Sequence, residues 1–329
     1  MKFKIQIKTL KVFECLLFLY FGASLFSFAQ YPDRPIKIIV PFSPGGGTDL
    51  VARTLGSIMS EDLQQPIIIE NKPGGSTVIG TDALAKSPHD GYTLVIATFA
   101  HAVNPYLKEK LPYSQEKDFS PVILIGVSPN VLVVSANSPF KTLQDLINTA
   151  KNKPGTLSYA SQGSGTSAHL AGELFNIQTG GKLIHVPYKG AGPALTDVIG
   201  GQVDMMFATA SAVGGQIEAG KLRPLAVTTL NRSNSLLLAN LPTVAEAGIS
   251  NYFAASWYGI FAPGGTPPQV IKKLNLAFKK AIQTKSFKDR LENEGLVTSA
   301  GTPEEFGKFV KSEEVRWKEV IKKANIKAD

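Results

Sequence analysis

The chain has 329 residues, of which 43% are hydrophobic, and its 34 basic and 26 acidic residues give a formal net charge of +8. This length suits two domains, and the basic residues do not form the Lys/Arg stripe interleaved with aromatic residues that is typical of nucleic-acid binding, so we expect no nucleic-acid partner. The modest positive charge favours the approach of an anionic ligand, and a single cysteine excludes an intrachain disulfide.

The first 29 residues have the pattern of a secretory signal peptide. Lysines within residues 2–11 form a basic leader, an apolar run follows over residues 12–28, and Ser27-Phe28-Ala29 matches a cleavage site. A retained membrane anchor is the alternative, but Glu14 interrupts the run, which is shorter than the roughly 20 residues that span a bilayer. We therefore predict cleavage after residue 29 and a mature protein located in the periplasm. Cys15, the only cysteine, lies inside this leader.

After the leader, strand-like and helix-like segments alternate twice along the chain. Such alternation predicts parallel, doubly wound sheets with right-handed crossovers. The first set has predicted strands at 36–42, 66–71 and 92–98, and the second has them near 157–161, 183–188, 203–209 and 222–229.

Three apolar stretches lie outside these two sets. Residues 122–126 and 130–135 read as a strand pair broken at Ser128-Pro129, and residues 257–262 read as an isolated strand. Lone strands on both sides of an inserted domain predict two crossovers of the chain. We predict a signal peptide at 1–29, domain 1 at 30–130 and 256–329, and domain 2 at 131–255.

Glycine-rich or small-residue turns follow five of the apolar runs. Such a turn directs backbone N–H groups and the positive end of a helix dipole at a ligand above the strand ends. Several turns aimed at one cleft can hold a carboxylate without a buried Arg or Lys. The turns lie at Ser43–Asp49, Lys72–Ser76, Ser161–Ser167, Lys189–Gly192 and Ala208–Ser211.

The signals for nucleotide binding and catalysis are incomplete. Residues 163–168 fit the G-x-G-x-x-A dinucleotide pattern, but the acidic residue expected about 20 positions later is absent. The turn at 44–49 lacks the Gly-Lys-Ser/Thr ending of a P-loop, and the Ser76 region lacks the final glycine of a nucleophile elbow. No pair of carboxylates is placed for acid–base catalysis. A Rossmann-type enzyme therefore remains only as a rival interpretation.

Several polar side chains stand near the predicted turns. His101 and Asn104 follow the strand at 92–98, where an open α/β sheet binds ligands, so both are candidates for ligand contact. His169 and Glu173 are spaced to share a metal, but without a third ligand a structural or ligand-orienting role is favoured. Other acids such as Asp49 beside a turn serve equally well as helix caps or turn residues.

A series of motifs then runs through the chain in a fixed order. They are Ile39–Phe42 with Pro44–Asp49, Glu70–Gly74, Tyr159–Ser161 with Gly163–Thr166, His185–Gly190, Gly200–Asp204, Leu241–Gly248 and Ala262–Pro267. In this order they resemble the periplasmic substrate-binding receptors of tripartite tricarboxylate transporters, the Bug family. The resemblance implies two doubly wound α/β domains joined by two crossover strands, the type II periplasmic binding or Venus flytrap fold. It also implies no catalysis, no cofactor and no metal.

The resemblance further implies a carboxylate site between the turns at 43–49 and 161–166. One lip would consist of Pro44, Gly45, Gly46 and Asp49, and the other of Ser161, Gly163, Thr166 and His169. The sides would be lined by Phe42, Thr98, His101, Asn104, Tyr188 and Lys189, with Asp204 at the rear. One departure stands out, because residues 75–77 read Gly-Ser-Thr where the family usually has Ala and a Gly-Gly pair.

The implied partners are a small carboxylate and the subunits of a membrane transporter, with the receptor acting as a monomer. The ligand remains open among di- and tricarboxylates, acidic amino acids and aromatic acids. A periplasmic sensor for the same ligands is the alternative function.

Overall fold

The computed structural model describes residues 31–233, 235–291, 295–324 and 326, and the predicted signal peptide lies outside them. The strands are β1 (Ile36–Val40), β2 (Ile67–Asn71), β3 (Thr93–Thr98), β4 (Phe119–Ser135), β5 (Ser158–Ser161), β6 (Ile184–Pro187), β7 (Met205–Thr209), β8 (Leu222–Val227), β9 (Ala255–Pro263) and β10 (Val297–Thr298). The helices are α1 (Gly47–Leu63), α2 (Val78–Ala85), α3 (Phe99–Leu107), α4 (Leu143–Asn152), α5 (Ser167–Thr179), α6 (Ala191–Ile199), α7 (Ala210–Glu218), α8 (Pro268–Gln283), α9 (Lys285–Leu291) and α10 (Pro303–Ala324). None of the helices described has the length and apolar character required to cross a membrane.

The strands form two parallel groups linked by antiparallel strands. In the first group β1 pairs with β2 and β3 in parallel, and in the second β5 pairs with β6 and β7 in parallel. The strand order β2-β1-β3-β9-β4-β7-β5-β6 places the two groups at opposite ends, with β9 and β4 between them. Within each group, successive strands are connected through a helix, as the alternation of segments predicts.

The strand β4 corrects the predicted break at Ser128-Pro129. It is one strand of 17 residues, and both residues of the expected break stay in register with β9, opposite Ser256 and Ala255. At the next residue, Asn130, the strand begins to pair with β7. Pro129 therefore lies where the ladder changes partners, a position that tolerates a residue without an N–H group.

The strand β8 also differs from the expectation of a parallel set. It pairs with β4 in an antiparallel sense and has a register shift between Leu132 and Val133. The second half is therefore a mixed sheet, with β4 contributing to both groups. The domain boundaries at 130/131 and 255/256 stay a prediction.

Alternation along β4 explains how the sheet is covered on both faces. Leu132 and Val134 pack into the cluster that contains Phe175, whereas Val131 and Val133 pack into a separate cluster on the other face. Successive side chains of a strand point to opposite faces, so an unbroken apolar run requires helices on both sides. This doubly wound arrangement leaves the carboxyl ends of the parallel strands, with their turns, to form a site.

Candidate functional site

A cavity of about 260 Å³ lies where the loops that follow β1, β2, β5 and β6 converge. It is lined by Pro41, Phe42, Gly74, Gly75, Ser76, Thr77, Lys108, Gln162, Gly163, Ser164, Pro187, Tyr188 and Lys189. Two of these described lining residues are lysines and none is acidic. The cavity therefore has the charge and the position expected of an anion-binding site in an open α/β fold.

The loop between β1 and α1 is fixed by the buried carboxylate of Asp49. Its Oδ2 accepts from the Gly45 N–H at 3.1 Å and from Arg53 Nε at 2.9 Å, and its Oδ1 accepts from Asn71 Nδ2 at 2.9 Å. Asn71 Nδ2 also donates to the Phe42 carbonyl at 3.1 Å. Burial by itself raises the pKa of Asp49, but the hydrogen bonds from Arg53, Asn71 and Gly45 outweigh it and lower that pKa. Asp49 thus shapes the loop as a charged acceptor.

The same loop contacts the turn that precedes α6 in the other half of the sheet. The Ser43 N–H donates to the Lys189 carbonyl at 2.9 Å. A Cβ atom added at Gly46 would lie 3.2 Å from the Ala191 Cβ, and one added at Gly192 would lie 2.7 Å from the Pro44 carbonyl oxygen. The predicted lip residues at 44–46 therefore form the contact between the two halves beside the cavity.

The loop between β2 and α2 has an unusual backbone. Gly74, Gly75, Ser76 and Thr77 have successive φ values of 123°, 57°, 55° and 77°. This left-handed region is costly for residues with a Cβ, so the backbone at Ser76 and Thr77 is strained. The fully buried Asn104 of α3 holds the loop, because its Nδ2 donates to the Ser76 carbonyl at 2.9 Å and to Thr77 Oγ1 at 3.2 Å. Asn104 thus positions a loop of the cavity wall without lining the cavity itself.

The loop between β5 and α5 is fixed by side chains that lie behind the cavity. Gly163, which lines the cavity, donates its N–H to Ser161 Oγ at 3.1 Å, and its carbonyl accepts from Thr166 Oγ1 at 2.7 Å. The Gly165 N–H donates to His169 Nδ1 at 3.0 Å. Ser161, Thr166 and His169 are all buried and do not line the cavity. They therefore act by positioning the loop whose residues 162–164 line it.

The turn between β6 and α6 supplies the remaining wall. Tyr188 and Lys189 line the cavity, and the Tyr188 hydroxyl donates to Asp197 Oδ2 at 2.5 Å. Burial and the hydrogen bond to Asp197 raise the pKa of Tyr188 to about 12. The phenol therefore stays neutral at physiological pH and adds no negative charge to the site.

Three predicted site residues lie away from the cavity. His101 packs among core aromatic rings, with centroids 4.5 Å from Phe261 in a tilted contact and 5.0 Å from Phe119 in an edge-on contact. Asp204 precedes β7, at the amino end of the strand, where its Oδ2 accepts from the Ser158 N–H at 2.7 Å. Thr98 is buried at the end of β3 and does not line the cavity.

Several lining residues are absent from the set predicted from the sequence. Lys108 follows the last residue of α3, and only the position of that helix against the second half brings it to the cavity. Gln162 and Ser164 lie inside the motif at 161–166, whose residues Ser161, Gly163 and Thr166 are predicted site residues. The Gly-rich turn at 72–76 was also visible, although its residues were not assigned to the site.

A second, larger cavity lies elsewhere and contains none of the glycine-rich turns. Its volume is about 710 Å³, and its lining includes Val127, Leu230, Arg232 and Leu236. Arg232 is paired with Glu246 at 2.9 Å. Among the described residues, no group of three or more His, Cys, Asp or Glu side chains is arranged to hold a metal ion. The smaller cavity is therefore the candidate site.

Comparison with known proteins identifies the family. Residues 51–326 match the family model described as tripartite tricarboxylate transporter family receptor. Three similar solved structures are R. palustris Rpa4515 with adipate, the periplasmic binding protein BugD, and MatC from Rhodopseudomonas palustris with bound malate. The first is 38% identical with a TM-score of 0.87, over 90% of this chain and 99% of the other. BugD is 32% identical with a TM-score of 0.86, over 91% and 100% of the two chains.

MatC is 30% identical with a TM-score of 0.83, over 88% of this chain and all of the other. These similarities confirm the predicted α/β fold of two doubly wound domains joined by crossover strands. Members of the matched family are periplasmic solute-binding receptors and not enzymes. Because the family model spans most of its length, this chain belongs to the receptor family of the tripartite tricarboxylate transporters.

Proposed function

We propose that this protein binds a small dicarboxylate in the 260 Å³ cavity and delivers it to a membrane transporter. The observation that carries the proposal is the charge of the cavity wall, where Lys108 and Lys189 are present and the described lining residues include no acid. Within the described residues neither lysine takes part in a salt bridge, so both charges are available to a ligand. The adipate bound to Rpa4515 and the malate bound to MatC support the same ligand class.

The backbone of the loops supplies further donors. Among the described residues, the N–H groups of Gly75, Ser76 and Thr77 donate to no protein acceptor, and all three residues line the cavity. Backbone donors fixed in place bind carboxylate oxygens through charge-assisted hydrogen bonds with little reorganisation. The fixed amides and the two lysines together favour a ligand with more than one negative group.

The size and charge of the cavity restrict the ligand further. The cavity of about 260 Å³ has room for a small dicarboxylate such as adipate or malate. An acidic amino acid would bring an ammonium group that finds no carboxylate in the described lining, so we expect it to bind more weakly.

The proposal includes the remaining predictions about the whole protein. We expect a monomer with domain boundaries at 130/131 and 255/256, exported by the signal peptide at 1–29. Hinge closure about the two crossover strands would bury the ligand and present a surface for the membrane subunits.

The test is thermal unfolding of residues 30–329 with a panel of acids. Adipate, malate, citrate, aspartate, glutamate and benzoate would be compared, with NAD as the control. A ligand at about 100 times its Kd adds roughly 2.7 kcal/mol to the free energy of unfolding, which raises Tm on the order of 5 °C. We expect this rise with a dicarboxylate. A panel without any shift, or a shift with NAD alone, would contradict the proposed function.

A further inference from the structure

We propose that His169 and His185 form a stacked pair that positions the β5–α5 loop and makes ligand binding depend on pH. The inference rests on the proposed function, because its main readout is carboxylate affinity. The two imidazole rings lie nearly parallel, with centroids 4.1 Å apart and an interplanar angle of 13°. His169 is on α5 and His185 is on β6, so the stack joins two elements behind the cavity.

Each ring of the pair holds one end of the lining segment 162–164. At one end, His185 Nε2 lies 2.6 Å from Ser161 Oγ, which accepts from the Gly163 N–H. At the other end, His169 Nδ1 accepts from the Gly165 N–H at 3.0 Å. The position of Gly165 is restricted in turn, because a Cβ there would lie 2.9 Å from Leu107 Cδ1 on α3. The pair therefore sets the backbone that faces the ligand.

The hydrogen bond from Gly165 defines the protonation state of His169. An imidazole nitrogen that accepts an N–H cannot carry its own proton, so the His169 proton is on Nε2. A second proton would go to Nδ1, and two N–H groups would then face each other. The Gly165 bond would be lost, and the loop would lose one of its two fixed ends.

The stack makes two positive charges unfavourable. Ser161 can either donate to His185 Nε2 or accept from it, so a proton on His185 alone is compatible with the loop. Charges on both rings at 4.1 Å would repel. The other titratable groups with described contacts are Tyr159, stacked on His185 at 4.9 Å, and Glu173, which accepts from the Tyr159 hydroxyl at 2.7 Å. Loss of affinity on acidification is therefore assigned to the proton that reaches His169 Nδ1.

The experiment measures the Kd of adipate by calorimetry from pH 8 to pH 5.5. The wild-type Kd is expected to be constant above about pH 7 and to rise toward a limit of tenfold per pH unit below the His169 pKa. His169→Asn places an amide oxygen where Nδ1 accepts and cannot titrate, so it should keep the affinity at pH 7.5 and flatten the profile. His169→Leu removes the acceptor and should weaken binding at every pH. His89→Asn, at an exposed histidine that is not among the lining residues of the cavity, should leave the wild-type profile unchanged.

Comparison with His169→Asn also removes the contribution from titration of adipate itself, which both proteins share. If adipate binds wild type but the two pH profiles coincide, the histidine pair is not the sensor and the proposed function stands. If none of the carboxylates binds at pH 7.5, the proposed function fails.

Hydrogen exchange of the amides of residues 163 and 165 in the ligand-free protein then tests the pair alone. Protection factors of wild type that are lower at pH 5.5 than at pH 7.5, a decrease absent in His169→Asn, support positioning by the pair. Equal protection factors of the two proteins at pH 5.5 would overturn it.

Discussion

The loops at 41–46 and 162–165 come from opposite halves of the sheet and line the same cavity, the first with Pro41 and Phe42 and the second with residues 162–164. Their supports differ in chemistry. The first is held by the carboxylate of Asp49, which accepts from a backbone amide, a guanidinium and a side-chain amide. The second is held by neutral acceptors, the hydroxyl of Ser161 and the imidazole of His169. Both supports fix the backbone of a loop beside the cavity, but only the first carries a negative charge.

The difference predicts that the two loops respond to pH in separate ranges. Despite burial, which raises it, the pKa of Asp49 is lowered by its donors, so the support it gives is present above the ordinary carboxyl pKa and is lost only as pH falls through the lowered value. An imidazole changes its charge near pH 6.5. Between pH 5 and pH 8 the first loop should be constant, and any change in the site should come from the second.

The largest expected effect comes from forcing the two halves apart at the first loop. Gly46 has φ of −95° and ψ of 172°, which any residue adopts, so Gly46→Val should fold. Its side chain would meet the Ala191 Cβ, 3.2 Å from a Cβ at this position, and the methyl groups would extend further. We expect the affinity for adipate to fall more than about 100-fold, or 2.7 kcal/mol, by calorimetry.

Gly215→Ala in α7 is the matched control, because a Cβ there has nothing within 4 Å. It should leave the affinity unchanged. Retained affinity in a folded Gly46→Val protein would contradict the role of this loop as one lip of the site.

Removing the charged support of the first loop should cost less. Asp49→Ala leaves the Gly45 N–H and one N–H of Asn71 Nδ2 without an acceptor, although Asn71 Nδ2 keeps its bond to the Phe42 carbonyl. Because these donors are only partly buried, the loss should be about 1 to 2 kcal/mol of stability. Arg53→Met is the control. Because Arg53 is half exposed, losing its ion pair should cost under about 1 kcal/mol. Urea unfolding at pH 7.5 measures both, and equal losses would assign the stabilisation to the ion pair and not to the loop.

A third histidine, His101, allows the pH dependence of stability to be measured apart from the pH dependence of ligand affinity, because none of its described contacts is with either loop. Burial lowers the pKa of His101 to about 3, and its Nδ1 has no hydrogen-bond partner among the described residues. The unfolded chain takes up this proton near pH 6.5, so the folded state loses about 1.4 kcal/mol per pH unit below that value, or about 2 kcal/mol by pH 5. His101→Phe should remove that part of the slope in urea unfolding.

The affinity of His101→Phe for adipate should keep the wild-type pH profile. If its stability instead falls with pH as steeply as that of wild type, the burial of a neutral His101 is not the source of the slope. If its binding profile becomes flat, the pH response does not originate in the His169 and His185 pair.

Much of this arrangement is visible in the sequence because it depends on local pattern. Alternating strands and helices predict the doubly wound halves. The turn at 161–166 lines the cavity with residues 162–164, and the turn at 43–49 follows the lining residues Pro41 and Phe42. The direction in which a side chain points from the first turn of a helix, by contrast, depends on tertiary packing and cannot be read from the local pattern. His101 follows β3 closely, as a ligand-binding residue would, but α3 begins at Phe99 and turns the histidine into the core. Asp204 belongs to a family motif, yet it precedes its strand and so lies at the other edge.

The role of a residue in the site was harder to predict than its neighbourhood. Asp49, Ser161 and His169 were predicted as lip residues, and they are buried supports whose polar atoms face the loop backbone. Whether such a residue contacts a ligand or supports the loop depends on the direction of its hydrogen bonds, and the spacing of residues in the sequence does not reveal that direction. The single strand β4 was missed for a similar reason, since Pro129 breaks a strand unless the pairing partner changes at that residue.

The smallest expected effect distinguishes the two lysines, one from each half. Lys108 is partly buried and Lys189 is exposed, and exposed charge pairs are worth about 0.2–1 kcal/mol. Lys189→Met should therefore raise the Kd of adipate about twofold, and Lys108→Met about three- to tenfold, because burial weakens screening. Calorimetry at low and at high salt measures both changes in Kd and shows how strongly each charge is screened. A larger effect at Lys189 would place the second carboxylate against the β6–α6 turn and not against α3.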